Sequence, residues 1–442
     1  MPTNENVRSL ASMPCPFEPP TRPPVRTTHC RVRYTIGNGC WSPMTGSCHR
    51  ADDRGMRRSG MGMKIVSARR DGRPDAVLDG CRGPLAPNSA RRPRRAAWKA
   101  ALCLAGAMAV PAPARPSRAE PVRVERSEPH MGTLFRIVVH ADSERDAERA
   151  VAAAFARIAD LDERLSDYRA DSELMRLCDA APHAEPVEVS RDLWEVLDQA
   201  GTVSVASEGA FDPTVGQLTK LWRRARRQHA LPDSRLLADA LRHVDYRQVE
   251  RDAVNHRIRL ARPGVRLDLG GIAKGFAAER ACAALKERGV PRASIDAGGG
   301  LTVGDPPPGE TGWTIGIAGM RREDRPVRFV RIANRSIATS GDLSQFLDID
   351  GVRYSHILDP RTGIGLTRRI SATVIARDGG LADALATALC VLGPEKGVAL
   401  ARRFDADCLI LRLDGESLRP TASPGFSKWE IEAPARWPTG DR

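Results

Sequence analysis

The sequence predicts an α+β protein, with strands and helices partly segregated along the chain rather than alternating as in a doubly wound sheet. Three patterns carry that expectation. One strand and two amphipathic helices open the folding part, and a strand, glycine turn, helix, strand and second glycine turn follow between Arg266 and Gly304. From Trp313 onward short strands dominate, interrupted by a single apolar helix. At 442 residues and 41% hydrophobic content, the chain can bury real cores.

The elements follow in order. Residues 1–88 are rich in Pro, Arg and Gly and show no sustained period, so they are read as a disordered leader. An internal start at Met61 or Met63 would leave most of that leader untranslated. Its His29-Cys30, Cys40 and Cys48-His49 clusters lack the spacing of a zinc site. Residues 89–119 have the order of an export signal: the basic Arg91, Arg92, Arg94 and Arg95, an apolar run from Ala100 to Val110, and small-residue exits at Ala112–Ala114 and Ser117–Ala119. That run is too short to span a bilayer. The expected mature chain, 120–442, lies outside the cytoplasm, in the periplasm or beside the inner membrane.

Charge supports this division. The net charge is +13, which would ordinarily suggest a polyanionic partner. Residues 1–119, however, hold 21 Lys and Arg against 7 Asp and Glu, leaving 47 against 48 for the rest. The folding part is neutral, and nucleic acid is not expected as a partner. Its four cysteines, Cys178, Cys282, Cys390 and Cys408, are irregularly spaced and read as small core residues.

Val122 to His140 reads as one strand, followed by a long helix over SERDAERAVAAAFARIADLDERL and a second helix entered at Ser190. In VRLDLGGIAKG, Val265, Leu267 and Leu269 alternate with Arg266 and Asp268 as a strand, and Gly270-Gly271 turns the chain into a helix with Lys274 in its first turn. A cation there opposes the helix dipole, which makes sense if an anion also sits at that helix end; a tight turn with a surface lysine is the plainer alternative. Asp212-Pro213 reads as an N-cap followed by proline at the first helical position. Gly298–Gly300 suits close backbone approach, and His356 beside the Pro360–Gly363 turn is either a structural hydrogen-bonder or a catalyst.

The helix GGLADALATALCVLG is the most unusual element. Leu381, Leu385, Leu389 and Leu392 form one stripe, while Asp383 lies about 200° round from Leu381 and shares its face with Thr387. Around them stand Ala384, Ala386, Ala388 and Cys390 instead of the Lys and Glu of a solvated face. That side is expected to pack against something.

Taken together, MGT at Met131, LSDYRADSELMRL at Leu165, AFDPTVG at Ala210, LDLGGIAKG at Leu267, SGDLSQF with HILDPRTG, and ADALATAL resemble, in order and approximate spacing, the ApbE family of exported, Mg²⁺-dependent FAD:protein FMN transferases. The resemblance covers about Val122 to Leu411. It implies the fold of that family, mixed sheets with packed helices. It also implies a metal site at Asp383, Ala386, Thr387 and the Gly271 carbonyl, where oxygen ligands suit a hard cation. Contacts to FAD are implied for Met131, Tyr168, Ala210, Phe211, Asp212, Asp268, Lys274 and Ile357, with Tyr168 against the flavin ring. FAD would be a substrate and Mg²⁺ the cofactor. A Thr or Ser hydroxyl of an exported or membrane redox protein would be the acceptor, with His356 and Lys274 as the catalytic candidates. Two alternatives use the same pocket: a Mg²⁺-dependent FAD pyrophosphatase and a non-catalytic periplasmic FAD-binding protein. The oligomeric state is not legible.

Overall fold

A computed structural model describes residues 33–35, 120–321, 325–343 and 345–434; the export-signal expectation for 89–119 lies outside the described residues. The centre of the fold is an eight-stranded sheet. Its strands run in the order Ser417–Ala422, Asp407–Asp414, Ile370–Ala376, Arg335–Gly341, Gly300–Val303, Arg292–Asp296, Thr133–Ala141 and Val122–His130. Every neighbouring pair is antiparallel. Alternate residues of these strands enter different cores, as the pleat requires. Ala338 and Val374 join the helices, whereas Ile337 and Ile375 pack with Trp313, Ile315 and Val330 of a smaller sheet. That smaller sheet comprises Arg33–Thr35, Trp313–Ile317, Arg328–Ile332 and Glu430–Ile431.

Eight α-helices are described: α1 Glu144–Leu165, α2 Glu173–Asp179, α3 Arg191–Ala206, α4 Gly216–Gln228, α5 Ser234–Leu241, α6 Ala273–Glu287, α7 Gly379–Leu392 and α8 Pro394–Arg403. Helix α1 begins where Ser143 accepts a hydrogen bond from the Asp146 amide, and it buries Ala147, Val151, Ala154, Ile158, Leu161 and Leu165 at helical spacing. Ser190 caps α3 in the same way, as its sequence predicts. Helix α7 is buried on almost every side, including Ala384, Ala386, Ala388 and Cys390, because α6, α3, α8 and three sheet strands pack round it. The face of Asp383 and Thr387 is therefore a packed one. Cys178, Cys390 and Cys408 are buried and Cys282 is half-buried; all four are free thiols.

Four expectations need correction. The single strand over Val122–His140 is a hairpin, turned by Met131 and Gly132, both at positive φ. That pair of conformations is the two-residue turn whose twist matches the strands. The segment from Val265 to Leu269 is extended but joins no sheet; it makes one isolated bridge, Val215 with Arg266. Its backbone groups are taken instead by Gly216, which donates to the Arg266 carbonyl, by the Pro213 carbonyl, which accepts from Asp268, and by the Cys178 sulfur, which accepts from Leu267. Asp212 does not cap a helix, since α4 starts at Gly216 after an uncapped Val215. Finally, two helices rather than one interrupt the strands after Trp313, because α8 follows α7 directly through Gly393.

Candidate functional site

A cleft enclosing about 320 Å³ gathers the glycine corners and the faces of four helices, α1, α4, α6 and α7. Met131, Tyr168, Ala210, Phe211, Asp212, Asp268, Gly271, Lys274, His356, Ile357, Asp383 and Thr387 all line it. Ala386 is not among the lining residues; its methyl group is wholly buried in the main core.

The close crossing of α6 and α7 builds the polar end. A Cβ on Gly275 would lie 2.0 Å from the Gly379 carbonyl oxygen, so the two backbones touch there and only glycine fits. That contact brings Asp383 to the start of α6, where its carboxylate accepts from the Gly275 amide at 3.3 Å and stands 3.6 Å from the Lys274 ammonium. The anion expected at this helix end is thus furnished by the chain itself. Lys274 also donates to the Gly270 carbonyl. Thr387, one turn on, donates to the Asp383 carbonyl at 3.2 Å and meets the Ser340 hydroxyl at 3.2 Å. A Cβ on Gly271 would fall 3.2 Å from the Thr387 hydroxyl, so the glycine lets that turn approach α7.

These groups fit a small hard cation. Carboxylate, hydroxyl and main-chain carbonyl are all oxygen donors, and a single carboxylate leaves positions for water and phosphate oxygens, as Mg²⁺ requires. Among the described residues no cluster of three His, Cys, Asp or Glu side chains could hold a metal. A cation site here must draw on hydroxyl and carbonyl groups. Sequence reading passed over Ser340, although it stands in SGDLSQF; a lone serine in a strand gives no signal until the strand is placed beside α7.

The far end of the cleft is set by Arg223 of α4, which reading by period overlooked. Its guanidinium donates to Asp167 and to Asp268, the latter at 2.9 Å, and lies 4.1 Å from the centre of the Tyr168 ring. Burial and the neighbouring Asp268 push the Asp167 carboxyl up to about 6, with Arg223 working against them. Tyr168 itself is 73% exposed and offers a ring face at the mouth. Asp268 also accepts from the Gly270 amide at 2.7 Å and so pins the glycine turn.

Two more predicted residues shape walls through the backbone. Asp212 accepts from the Thr214 amide and hydroxyl and from the Tyr246 amide, so its carboxylate is largely occupied in holding the turn. Burial raises its pKa above the usual carboxylate range. Met131, at φ 49°, is held in that strained turn by Asp162, which accepts its amide hydrogen at 2.9 Å.

His356 faces the cleft between these ends. Its Nδ1 lies 3.0 Å from the Gln345 carbonyl, an acceptor only, so Nδ1 carries the hydrogen and Nε2 keeps its lone pair. Burial pulls its pKa down to about 4, and the ring is neutral at pH 7. The arrangement joins a cluster of oxygen donors, a lysine, a neutral imidazole acceptor and an exposed aromatic face. Such a set suits an aromatic ligand carrying phosphates.

The ApbE family model matches residues 131–410 of this chain. A FAD:protein FMN transferase of Treponema pallidum is 37% identical over 305 residues, which is 65% of this chain and 83% of that protein. One from Klebsiella pneumoniae is 33% identical over 285 residues, 64% of this chain and 86% of that protein. Among solved structures, the ApbE protein of Thermotoga maritima matches with a TM-score of 0.63 and 32% identity over 70% of this chain and all of that one. The flavin transferase ApbE of Vibrio cholerae matches at 0.64 and 28% over 70% of this chain and 99% of its own.

Proposed function

The chain belongs to the ApbE family, and from that premise we propose that it is a Mg²⁺-dependent FAD:protein FMN transferase. FAD is the donor substrate, a Thr or Ser hydroxyl of an exported or membrane redox protein is the acceptor, a phosphoester bond forms and AMP leaves. The observation that carries this reading is the meeting of Asp383, Thr387 and the Gly271 turn in one cleft with His356 and Tyr168.

Asp383, Thr387 and the Gly271 carbonyl would hold Mg²⁺, which when bound neutralises pyrophosphate charge and polarises the phosphorus to be attacked. Lys274 places a positive charge at the same end of the cleft, 3.6 Å from the Asp383 carboxylate, and stabilises negative charge that grows during transfer. Tyr168 offers its ring for stacking on isoalloxazine, worth about 1 kcal/mol. The neutral His356 accepts a hydrogen bond from the incoming hydroxyl at Nε2 and orients it. Phosphate charge nearby raises the basicity of the imidazole, so it takes the proton as the new P–O bond forms.

Purified chain, FAD, Mg²⁺ and a candidate acceptor should give that acceptor a mass gain of one FMN together with one AMP. Release of free FMN alone would establish the pyrophosphatase instead, and bound, uncleaved FAD a storage protein. Asp383→Ala should abolish transfer while leaving the fold intact; retained flavinylation in that variant refutes the metal assignment. The proposed setting is the periplasm, supported by the signal pattern of residues 89–119. Among the described residues no helix is long and apolar enough to cross a membrane.

A further inference from the structure

Two carboxyl groups meet at the first turn of α7, on the far side of the helix crossing from the cleft residues. Glu279 of α6 accepts from the Gly379 amide at 2.9 Å, and Asp378, the N-cap, accepts from the Leu381 amide at 2.8 Å. Asp378 also accepts from the Gln199 side chain of α3 at 2.6 Å. Among the described residues neither acid has a paired cation. Arg280, next to Glu279, is bound to Glu195 and lies over the Phe276 ring, and Arg377, next to Asp378, faces Asp405 at 4.0 Å. The ionisable groups that Glu279 faces are therefore Asp378 at the start of α7 and Arg280 on its own helix, with the Cys282 thiol beyond them on α6. From α3 come Glu195, held by Arg280, and the neutral Gln199.

This pair shares a scaffold with the metal site. Glu279 and Gly275 are one turn apart on α6, as Asp383 and Gly379 are on α7. Two tethers join the helices: Glu279 to the Gly379 amide, and the Gly275 amide to Asp383. A slip at the first changes the second, because the backbones between them are in contact.

We propose that Glu279 is a positioning residue for the cation site: it holds a proton shared with Asp378, and loss of that proton to solvent loosens the first turn of α7 and withdraws Asp383 from its place. One negative charge at a helix N-terminus is favourable, but two carboxylates sharing it cannot both ionise cheaply. In keeping with this, burial and then the Asp378 charge raise the Glu279 pKa to about 7. Glu279 is thus poised to titrate near neutrality.

The inference rests on the metal assignment above, and its test separates the two. Mg²⁺ alone is titrated into the full chain from pH 5.5 to 9, read by calorimetry, for wild type, Glu279→Gln, Asp378→Asn and Asp383→Ala. Wild type should lose about tenfold in Mg²⁺ affinity as pH rises through about 7. Glu279→Gln keeps a donor for Asp378 and an acceptor for Gly379, and should hold the high affinity flat to pH 9. Asp378→Asn, which removes the like charge from the other side, should move the transition to lower pH. A Glu279→Gln profile that falls as wild type does, or a wild-type profile with no transition near 7, overturns the proposal. If Asp383→Ala still binds Mg²⁺ as wild type does, the metal assignment fails instead.

Discussion

Arg223 is the side chain on which the open end of the cleft depends. It separates Asp167 from Asp268 and supports the Tyr168 ring from one face. The Asp167 pKa is raised from 3.8 to about 6, so the folded protein holds a proton there that the unfolded chain has lost, and this contribution to stability falls as pH rises through that window. Arg223→Met removes the cation bonded to both acids. It should cost about 3 kcal/mol at pH 8, because two buried carboxylates are left unpaired, and clearly less at pH 5, where one can protonate. Urea unfolding at the two pH values measures this; an equal loss at both would refute it. Tyr168→Ala is expected to behave differently. At 73% exposure the ring contributes less than about 0.5 kcal/mol to folding, so the loss should appear as a higher KM for FAD with an unchanged melting temperature. The place of Tyr168 at the cleft was legible only through family resemblance. Arg223 was not legible at all, because α4 reads GQLTKLWRRARRQ and has neither a capping side chain nor an acid in its first turn to announce it.

At the scale of elements, the helix that raised the strongest question in the sequence is the one whose setting the structure explains most fully. An acid and a hydroxyl among alanines on α7 make sense once α6 crosses it at Gly275 and Gly379. The turn into α6 was legible, since Gly270-Gly271 before Lys274 is a local signal. The strand expected just ahead of it was not formed. Val265, Leu267 and Leu269 are buried as their alternation predicts, but period alone cannot say whether a neighbouring strand exists to pair with. The hairpin at Met131 was missed for the opposite reason: alternation continues through a two-residue turn, and a methionine at φ 49° gives no turn signal. Gly275→Ala tests the crossing. Its new methyl group would meet the Gly379 backbone, which cannot swing aside, so the helices must separate. Destabilisation of about 2–3 kcal/mol is expected, with transfer lost even below the melting temperature. Wild-type stability and activity would show that the contact does not set the site.

For the whole molecule, sheet order was beyond the sequence. Thr133–Ala141 pairs with Arg292–Asp296 across about 150 residues of chain, and no local pattern specifies so distant a partner. The division of charge was legible by contrast, and it makes a prediction about the whole chain. The eight-stranded sheet takes its first strand at Val122, which pairs along nine residues with Thr133–Ala141, and the cleft draws every lining residue from Met131 or later. Residues 1–119 bring an excess of 14 positive charges to a remainder carrying one net negative charge. Among the described residues, their removal takes none from the central sheet or the cleft and undoes the three-residue pairing of Arg33–Thr35 with Trp313–Ile317. The chain shortened to 120–442 should therefore fold, melt within about 4 °C of the full chain, a shift that corresponds to less than about 1–2 kcal/mol, and transfer FMN at the same rate. It should also shift from cation-exchange to anion-exchange behaviour near pH 7, because its sequence is slightly acidic. Failure of the shortened chain to fold would mean that the leader supports the smaller sheet, and that the signal-like order of residues 89–119 does not mark where the mature protein begins.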